Sequence, residues 1–177
     1  MKPLSLALAV ALAQASCAGY RPVHGGGAGG EHLSVVLSES KVPDAVASDE
    51  VLTGVREELA RSGALASGAA YPRCEVEILR MDEAAEGIAA QPGEGGRLVP
   101  QARATRVGLV ARAWVLEAPG AERLRDTGDV RAFETVAIAT DARGASFRHS
   151  DALRAAGRRL GRRLASRIMG LPSANED

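Results

Sequence analysis

Histidine, serine and cysteine are the residues whose types could do chemistry in this chain. The three histidines are His24, His32 and His149, and none has a second histidine or a cysteine nearby at the spacing of zinc ligands. His149, Ser150 and Asp151 are adjacent, but the members of a catalytic triad meet from separated segments, and no G-x-S-x-G elbow occurs. We therefore interpret Ser150 as a helix cap. The sequence predicts no catalytic residue, no metal site and no cofactor.

Two carboxylates and a cysteine also have structural interpretations. Glu75 and Glu77 lie on one face of a predicted strand, as catalytic carboxylates would, but alternation on a solvated face explains the same pattern. Cys74 falls on the apolar face, so we predict a small buried side chain there. P-loop, EF-hand and H-E-x-x-H motifs are absent from the sequence. The sequence therefore gives no positive evidence for an enzyme.

Arginines offer the remaining chemistry, which is the recognition of phosphate. Arg106 and Arg112 flank a strand face that also carries Val110, Trp114 and Leu116. Cations beside exposed apolar groups suit a ligand with phosphates and acyl chains, and coverage by a partner protein suits them equally well. We predict Arg106 and Arg112 as ligand-binding residues. Further arginines, which are either solvated or in contact with anionic phosphates, lie on the final helix at Arg154, Arg158, Arg159, Arg162, Arg163 and Arg167.

Hydrophobic periodicity distributes these residues over six elements. In order they are a strand over 32–38, a helix over 49–62 capped by Ser48, strands over 74–78, 105–117 and 129–140, and a helix over 150–170. Six Gly and Pro residues in 82–102 predict a long loop, functional or disordered. Residues 136–138 of the fourth strand are expected to be buried. This order predicts an α+β fold with two helices packed on one face of a four-stranded, mostly antiparallel sheet.

The apolar positions of these elements predict a single core. We expect it to be lined by Leu33, Val35, Leu37, Leu52, Val55, Leu59, Val76, Ile78, Val107, Leu109, Leu160 and Leu164.

The N-terminus has the features of a secretory signal over residues 1–16. Lys2 is followed by an apolar run of about ten residues and then by small residues at the cleavage region. The apolar run has half the length that a helix needs to span a bilayer. Two cleavage chemistries are open. Ala13-Gln14-Ala15 is a site that would release a soluble protein beginning at Ser16. Ala15-Ser16-Cys17 resembles the end of a bacterial lipobox, although Gln14 stands where an aliphatic residue is usual, and we favour lipidation of Cys17.

Length and composition bound the mature chain. Residues 17–31 are predicted to form a Gly-rich tether, residues 32–171 suffice for one domain, and residues 172–177 are predicted to form a frayed tail. Removal of Lys2 with the signal leaves a net charge of −1, and aromatic residues make up 3% of the sequence. A nucleic-acid-binding protein would need a basic excess and stacking residues, so nucleic acid is not an expected partner.

The Cys17-Ala18-Gly19-Tyr20-Arg21-Pro22 segment resembles the Cys-Gly-Tyr/Phe-Arg-Pro opening of the lipopolysaccharide-assembly lipoproteins, the LptE family, with Ala18 as an insertion. The order strand, helix, three strands and amphipathic helix is also similar to that family over nearly the entire mature chain. The resemblance implies a non-enzymatic lipoprotein, anchored on the periplasmic side of the outer membrane of Gram-negative bacteria.

The resemblance further implies a role and partners. Family members plug the lumen of a large outer-membrane β-barrel of the LptD type, help it insert lipopolysaccharide into the outer leaflet, and themselves bind lipopolysaccharide. The expected partners are therefore the barrel, lipopolysaccharide and, through the N-terminal lipid, the membrane. The alternative is an accessory, non-enzymatic envelope lipoprotein of another transport or cell-wall machine.

Overall fold

The computed structural model describes residues 30–138 and 142–172. Its elements are β1 (Ser34–Ser40), α1 (Ala45–Arg61), β2 (Arg73–Pro92), a 3-10 turn (Glu94–Gly96), β3 (Leu98–Leu116), β4 (Val130–Ala137) and α2 (Ala142–Ile168). The predicted signal over 1–16, Cys17 with the tether up to residue 29, and residues 173–177 of the tail lie outside the described residues.

The four strands form one sheet in the order β1-β2-β3-β4. β1 runs parallel to β2, while the β2–β3 and β3–β4 pairs are antiparallel. Both helices pack on the same face of this sheet, since their buried residues, such as Val55 and Leu160, form one core cluster with Val76, Leu109 and Ala132. The predicted α+β fold class is confirmed.

Eleven of the twelve predicted core residues are buried, and Leu37 is the exception. Leu37 lies on the edge strand β1, immediately before a bulge that shifts the β1–β2 register between Leu37 and Glu39. α1 contacts β1 on both sides of Leu37, since the Arg56 guanidinium donates to the Val35 carbonyl oxygen at 3.3 Å and the hydroxyls of Ser48 and Ser40 lie 3.0 Å apart. Leu37 itself, at the edge of the sheet, is 37% exposed.

Both helices begin earlier than the sequence predicts. Asp44 caps α1, since its side chain accepts a hydrogen bond from the Ala47 amide at 2.9 Å, whereas the predicted cap Ser48 is buried inside the helix. α2 starts at Ala142, so Ser150 is an exposed residue of the helix and not its cap. Several polar side chains near the start of a helix can accept hydrogen bonds from its first amides. A serine close to a helical pattern therefore does not decide where the helix starts.

The predicted loop over 82–102 is wrong, because these residues extend a hairpin. β2 and β3 pair from Arg73↔Leu116 to Pro92↔Leu98, with one shift of register between Ile78 and Arg80. Only Gly93, Gly95 and Gly96 serve the turn at the tip, where Gly95 and Gly96 have positive φ. Alanine-rich strands lack the strong alternation by which a strand is recognised in a sequence.

At the end of the sheet that holds Thr105 and residues 136–138, the first turns of α2 lie across a cleft from the strands. Val136 is therefore half-buried and Ala137 exposed, and Ile138 is 51% exposed. The prediction that these three residues are buried is wrong.

The two helices approach each other closely at two glycines. A methyl group added to Gly161 would lie 2.7 Å from the Val55 amide nitrogen and nearer still to the Val51 carbonyl oxygen. A methyl group on Gly54 would meet the Arg158 carbonyl of the opposite helix. Backbone therefore packs on backbone, which only a residue without a Cβ allows.

Cys74 is fully buried at the centre of the sheet, as predicted. Burial raises the pKa of its thiol from 9.0 to about 12, because the thiolate would lose its hydration. In the unfolded chain the thiol ionises above pH 9.0, while the folded protein keeps it protonated up to about pH 12. Within this window the folded state binds the extra proton, so stability falls as the pH rises.

We expect this thiol to lower the free energy of unfolding by roughly 1 kcal/mol for each pH unit above about 9, as long as the folded state keeps it protonated. Urea unfolding of the parent and of Cys74→Ala at a series of pH values isolates the effect, since all other titrating groups are shared. The parent should lose stability more steeply with pH than the variant. Parallel pH profiles would contradict an ionisation coupled to burial.

Candidate functional site

The predicted ligand residues Arg106 and Arg112 lie on the face of β3 that points away from the helices. They are six residues apart on one strand, which separates them by about 20 Å. One phosphate group cannot bridge that distance. The two arginines therefore share a face without forming a joint site.

Each of these two arginines faces a carboxylate. Arg112 Nε donates to Asp126 Oδ1 at 2.9 Å, and Arg106 Nη1 lies 3.9 Å from Glu86 Oε1. The Arg106 guanidinium also stacks on a ring, 4.9 Å from the centroid of Phe133. Both side chains keep more than a third of their surface exposed, so these ion pairs contribute little to stability and can exchange their partners.

The apolar groups between these arginines are covered, contrary to the expectation of an exposed apolar platform. Val110 is fully buried, Trp114 is 2% exposed, and Leu116 is half-buried. The segment between β3 and β4 folds back along β3 and lays the Arg123 guanidinium on the indole of Trp114, 3.8 Å from its ring centroid. The face therefore presents charge rather than an acyl-binding surface.

The arginines of α2 join this helix to the elements on either side of it. Arg158 pairs with Glu50 of α1 at 2.7 Å, and Arg162 lies 3.5 Å from Glu57 of the same helix. On the other side, Arg159 pairs with Glu134 of β4. Each pair is worth about 0–1 kcal/mol because it is partly solvated. These pairs give the three arginines a structural role, and their guanidinium groups stay partly exposed, as do those of Arg106 and Arg112.

A cleft of about 460 Å³ lies between the first turns of α2 and the distal half of the sheet. Val107 and Val136 belong to its apolar part, while Glu83, His149 and Ser150 contribute polar groups. The sequence did not reveal this cleft, because Ser150 was placed at the start of the helix, and the two turns that form one wall lie before it. Among the described residues, no group of three metal-ligating side chains occurs.

The second feature is the part of the hairpin beyond the last β3–β4 pair, residues 87–103, which we call the arm. Ala104 is the last residue of β3 that pairs with β4, through Ala137, so the arm consists of two strands only. Leu98 and Val99 near its tip are 64% and 44% exposed. An isolated two-stranded hairpin is only marginally stable in water, and exposed apolar groups are typical of contact surfaces. The arm is therefore a candidate surface for contact with a partner.

Comparisons with known proteins identify relatives of the fold. No protein-family model matches the chain, and no curated protein matches its sequence. Among solved structures, a protein described as a lipoprotein, from Caulobacter crescentus CB15, aligns with a TM-score of 0.51 and 10% identity over 76% of this chain and 88% of its own. A minor lipoprotein from Acinetobacter baumannii aligns with a TM-score of 0.44 and 12% identity over 77% and 93%.

At such identities the likeness concerns the fold alone. Within the described residues, no helix is both long and apolar enough to cross a membrane. The structure therefore defines the fold class of the protein, a two-helix, four-stranded α+β domain with a projecting arm.

Proposed function

We propose that the protein is a lipid-anchored lipoprotein of the Gram-negative outer membrane, which assists a β-barrel partner in lipopolysaccharide assembly. One observation carries the proposal: the order strand, helix, three strands and helix follows the Cys17–Pro22 opening, as the resemblance to the LptE family implies. The role is binding without catalysis. Both solved structures described above are of lipoproteins by their descriptions, which agrees with this proposal.

The anchor in this proposal is a lipid on Cys17. A single acyl chain gives marginal membrane binding, whereas two or more chains on one residue give stable attachment. Cleavage before Cys17 and its diacylation would satisfy this requirement. The described residues begin at Gly30, and the Gly-rich tether that the sequence predicts over residues 17–31 would give the anchored domain room to lie beside a barrel.

Lipopolysaccharide contacts in this proposal use Arg106 and Arg112. Both guanidinium groups are partly exposed and paired with one carboxylate each, and a phosphate that replaces the carboxylate forms the same charge-assisted hydrogen bonds. Because about 20 Å separates them, each arginine would contact a different phosphate or a different part of the barrel wall.

A second candidate is an accessory envelope lipoprotein of another transport or cell-wall machine. The arm favours it: a plug that fills a barrel lumen suits a compact domain with an adaptable loop, whereas this hairpin is fully paired as far as Pro92↔Leu98. A projecting paired hairpin suits contact with a partner outside a lumen.

Depletion of the protein in its native host tests the function. We expect surface lipopolysaccharide to fall and the barrel to assemble poorly, because both depend on the lipoprotein in this proposal. Re-expression of the wild-type protein should restore both, and re-expression of Cys17→Ser should not. Mass spectrometry of the wild-type protein should find a diacylated Cys17 at the mature N-terminus. Arg106→Glu with Arg112→Glu should weaken lipopolysaccharide binding most at low salt, where exposed charges are least screened.

Three results would contradict this proposal. Unchanged surface lipopolysaccharide and barrel assembly after depletion would favour the second candidate. An unmodified protein that begins at Ser16 would remove the anchor. Lipopolysaccharide binding that is insensitive to reversal of both arginines would show that they do not contact its phosphates.

A further inference from the structure

The backbone of β4 is capped by two arginines of α2. The Arg159 guanidinium donates to the Phe133 carbonyl oxygen at 2.9 Å, and the Arg163 guanidinium donates to the Arg131 carbonyl oxygen at 3.0 Å. The two arginines are four residues apart on the helix, and their acceptors are two residues apart on the strand. Four residues of a helix rise about 6 Å and two residues of a strand about 7 Å, so successive arginines reach successive carbonyls.

The hydrogen bonds of the sheet show that these carbonyls lie on the free side of β4. The amide of Ile138, the residue after β4, donates to the Arg103 carbonyl oxygen at 3.1 Å, so the backbone of Ile138 points toward β3. Backbone direction alternates along a strand, and the odd-numbered residues of β4, including Arg131 and Phe133, therefore point outward. Outward backbone groups of an edge strand are a template for pairing with another strand.

The opposite edge of the sheet is protected at β1 by other contacts. Leu33 pairs with residues 64–66 through backbone hydrogen bonds of 2.8 and 2.9 Å, and the Arg56 guanidinium donates to the Val35 carbonyl oxygen at 3.3 Å. A bulge follows Leu37. Coverage and bulges both protect edge strands. β4 pairs with β3 without a shift of register, so its protection depends on the arginines of α2.

The strand that this edge would accept is β4 of a second copy. Antiparallel pairing about a two-fold axis at Phe133 sets Arg131 against Thr135 of the other copy, and all three residues point outward. α2 contacts both β3 and β4, so it lies above these two strands. The two copies of α2 would then lie side by side at about 10 Å, which is the usual packing distance of helices. The backbone therefore fits an eight-stranded sheet across two copies.

We propose that Arg159 and Arg163 close the β4 edge against a second copy of this chain. Each guanidinium occupies a carbonyl oxygen that the incoming strand would need as an acceptor. In the paired arrangement the arginines of both copies would also face each other between the helices, and like charges placed together at a contact cost binding free energy. Glu134, which pairs with Arg159, would offset part of this repulsion. This role goes beyond the proposed function and depends on neither lipopolysaccharide nor a barrel partner.

Sedimentation velocity of the mature chain with Cys17→Ser, over a range of concentrations, measures the closure. The edge variant carries Arg159→Met and Arg163→Met, since methionine keeps the apolar stem and removes the charge and the donors. Its self-association constant should exceed that of the parent by roughly tenfold or more, because two acceptors are freed and a repulsion is removed. Association through any other surface, such as the arm, is common to both proteins and cancels in the comparison.

The matched control variant carries Arg154→Met and Arg158→Met. It removes two arginines from the same helix and adds the same two methionines, but the pairs that it breaks are with Asp151 and Glu50. The capped carbonyls of β4 are untouched. The control should therefore associate as the parent does.

Thr135→Pro locates the new contact. The Thr135 amide points outward, where an edge strand tolerates proline, and an incoming strand would lose a hydrogen bond there. Added to the edge variant, Thr135→Pro should return association to the level of the parent. The same substitution in the parent controls for the lost hydrogen bond from the Thr135 hydroxyl to Glu86, and it should leave association unchanged.

Each single variant, Arg159→Met or Arg163→Met, loses one cap and should associate to an intermediate extent, which provides a test if the double variant does not fold. Variants that associate no more strongly than the parent would overturn the proposal, and so would a control that gains as much. Association of the edge variant that persists with Thr135→Pro would place the contact elsewhere and equally contradict a closed β4 edge. All measurements use isolated protein, so the outcome of the depletion experiment does not affect them.

Discussion

Replacement of Gly161 by alanine is expected to lower the free energy of unfolding by about 2 kcal/mol. Alanine is favoured over glycine in a helix by about 1 kcal/mol, so propensity alone predicts the opposite sign. The new methyl group, however, would lie 2.7 Å from the Val55 amide nitrogen and nearer to the Val51 carbonyl oxygen. Backbone atoms cannot rotate away as a side chain can, so the helices must separate, and overpacking of this kind costs about 1–3 kcal/mol or more.

Urea unfolding of Gly161→Ala beside Ala155→Gly tests this explanation. Ala155 is exposed on the same helix, so its exchange for glycine should cost only the propensity difference of about 1 kcal/mol. Gly157→Ala should cost less than Gly161→Ala, since its methyl group would lie 3.1 Å from the Ala47 carbonyl oxygen and a small shift would relieve the contact. A Gly161→Ala protein as stable as the parent would mean that α1 and α2 are not in backbone contact.

Leu160→Ala is expected to cost about 2–5 kcal/mol, the range for a buried leucine whose site cannot collapse. Leu160 is fully buried on the face of α2 that packs on the sheet. The backbone contacts at Gly54 and Gly161 hold the two helices in place, so the surroundings cannot relax into the cavity. We therefore expect a value in the upper half of that range.

Denaturant unfolding of the Cys17→Ser chain provides the measurement, and Leu98→Ala provides the control. Leu98 is 64% exposed at the tip of the arm, so the same chemical change should alter stability by no more than about 0.5 kcal/mol. A loss below about half a kcal/mol at Leu160 would show that α2 does not pack as described.

Periodic patterns predicted the body of the fold correctly. The alternation of Val107 and Leu109 on a strand, and the helical spacing of Leu160 and Leu164, placed the right residues in the core. These patterns work because a strand alternates its faces and a helix repeats every three to four residues. Element order followed from the same patterns, and so did the fold class.

Local patterns failed where tertiary contacts decide. The strands of the hairpin are rich in alanine and contain Gly87 at positive φ, so a composition rule reads them as loop, yet cross-strand pairing holds them extended. Helix starts were misplaced because Asp44, not Ser48, satisfies the free amides of α1. Ile138 was expected in the core because it is hydrophobic. The expectation was wrong because hydrophobicity says nothing about how far the layer of helices extends over the sheet.

The candidate site was predicted in part. That Arg106 and Arg112 share a strand face follows from their even separation, and the structure agrees. The coverage of Trp114 by Arg123 was not predictable, since it requires a nine-residue separation to fold back across the strand. The ion pairs of α2 with Glu50 and Glu57 likewise depend on which helix packs beside it.

The length of the hairpin sets how far from its N-terminus the protein can act. The chain enters the fold beside the Arg73 end of β2, where Glu31 pairs with Arg125 and Ser34 pairs with Arg73. The turn at the other end of β2 lies 20 residues away, or about 65 Å along the strand. In a molecule that is held at the end where the chain enters the fold, the tip of the hairpin would therefore contact a partner far from the point of attachment. Removal of two residues from β2 together with the two residues of β3 that pair with them would bring the tip about 7 Å closer to the point of attachment.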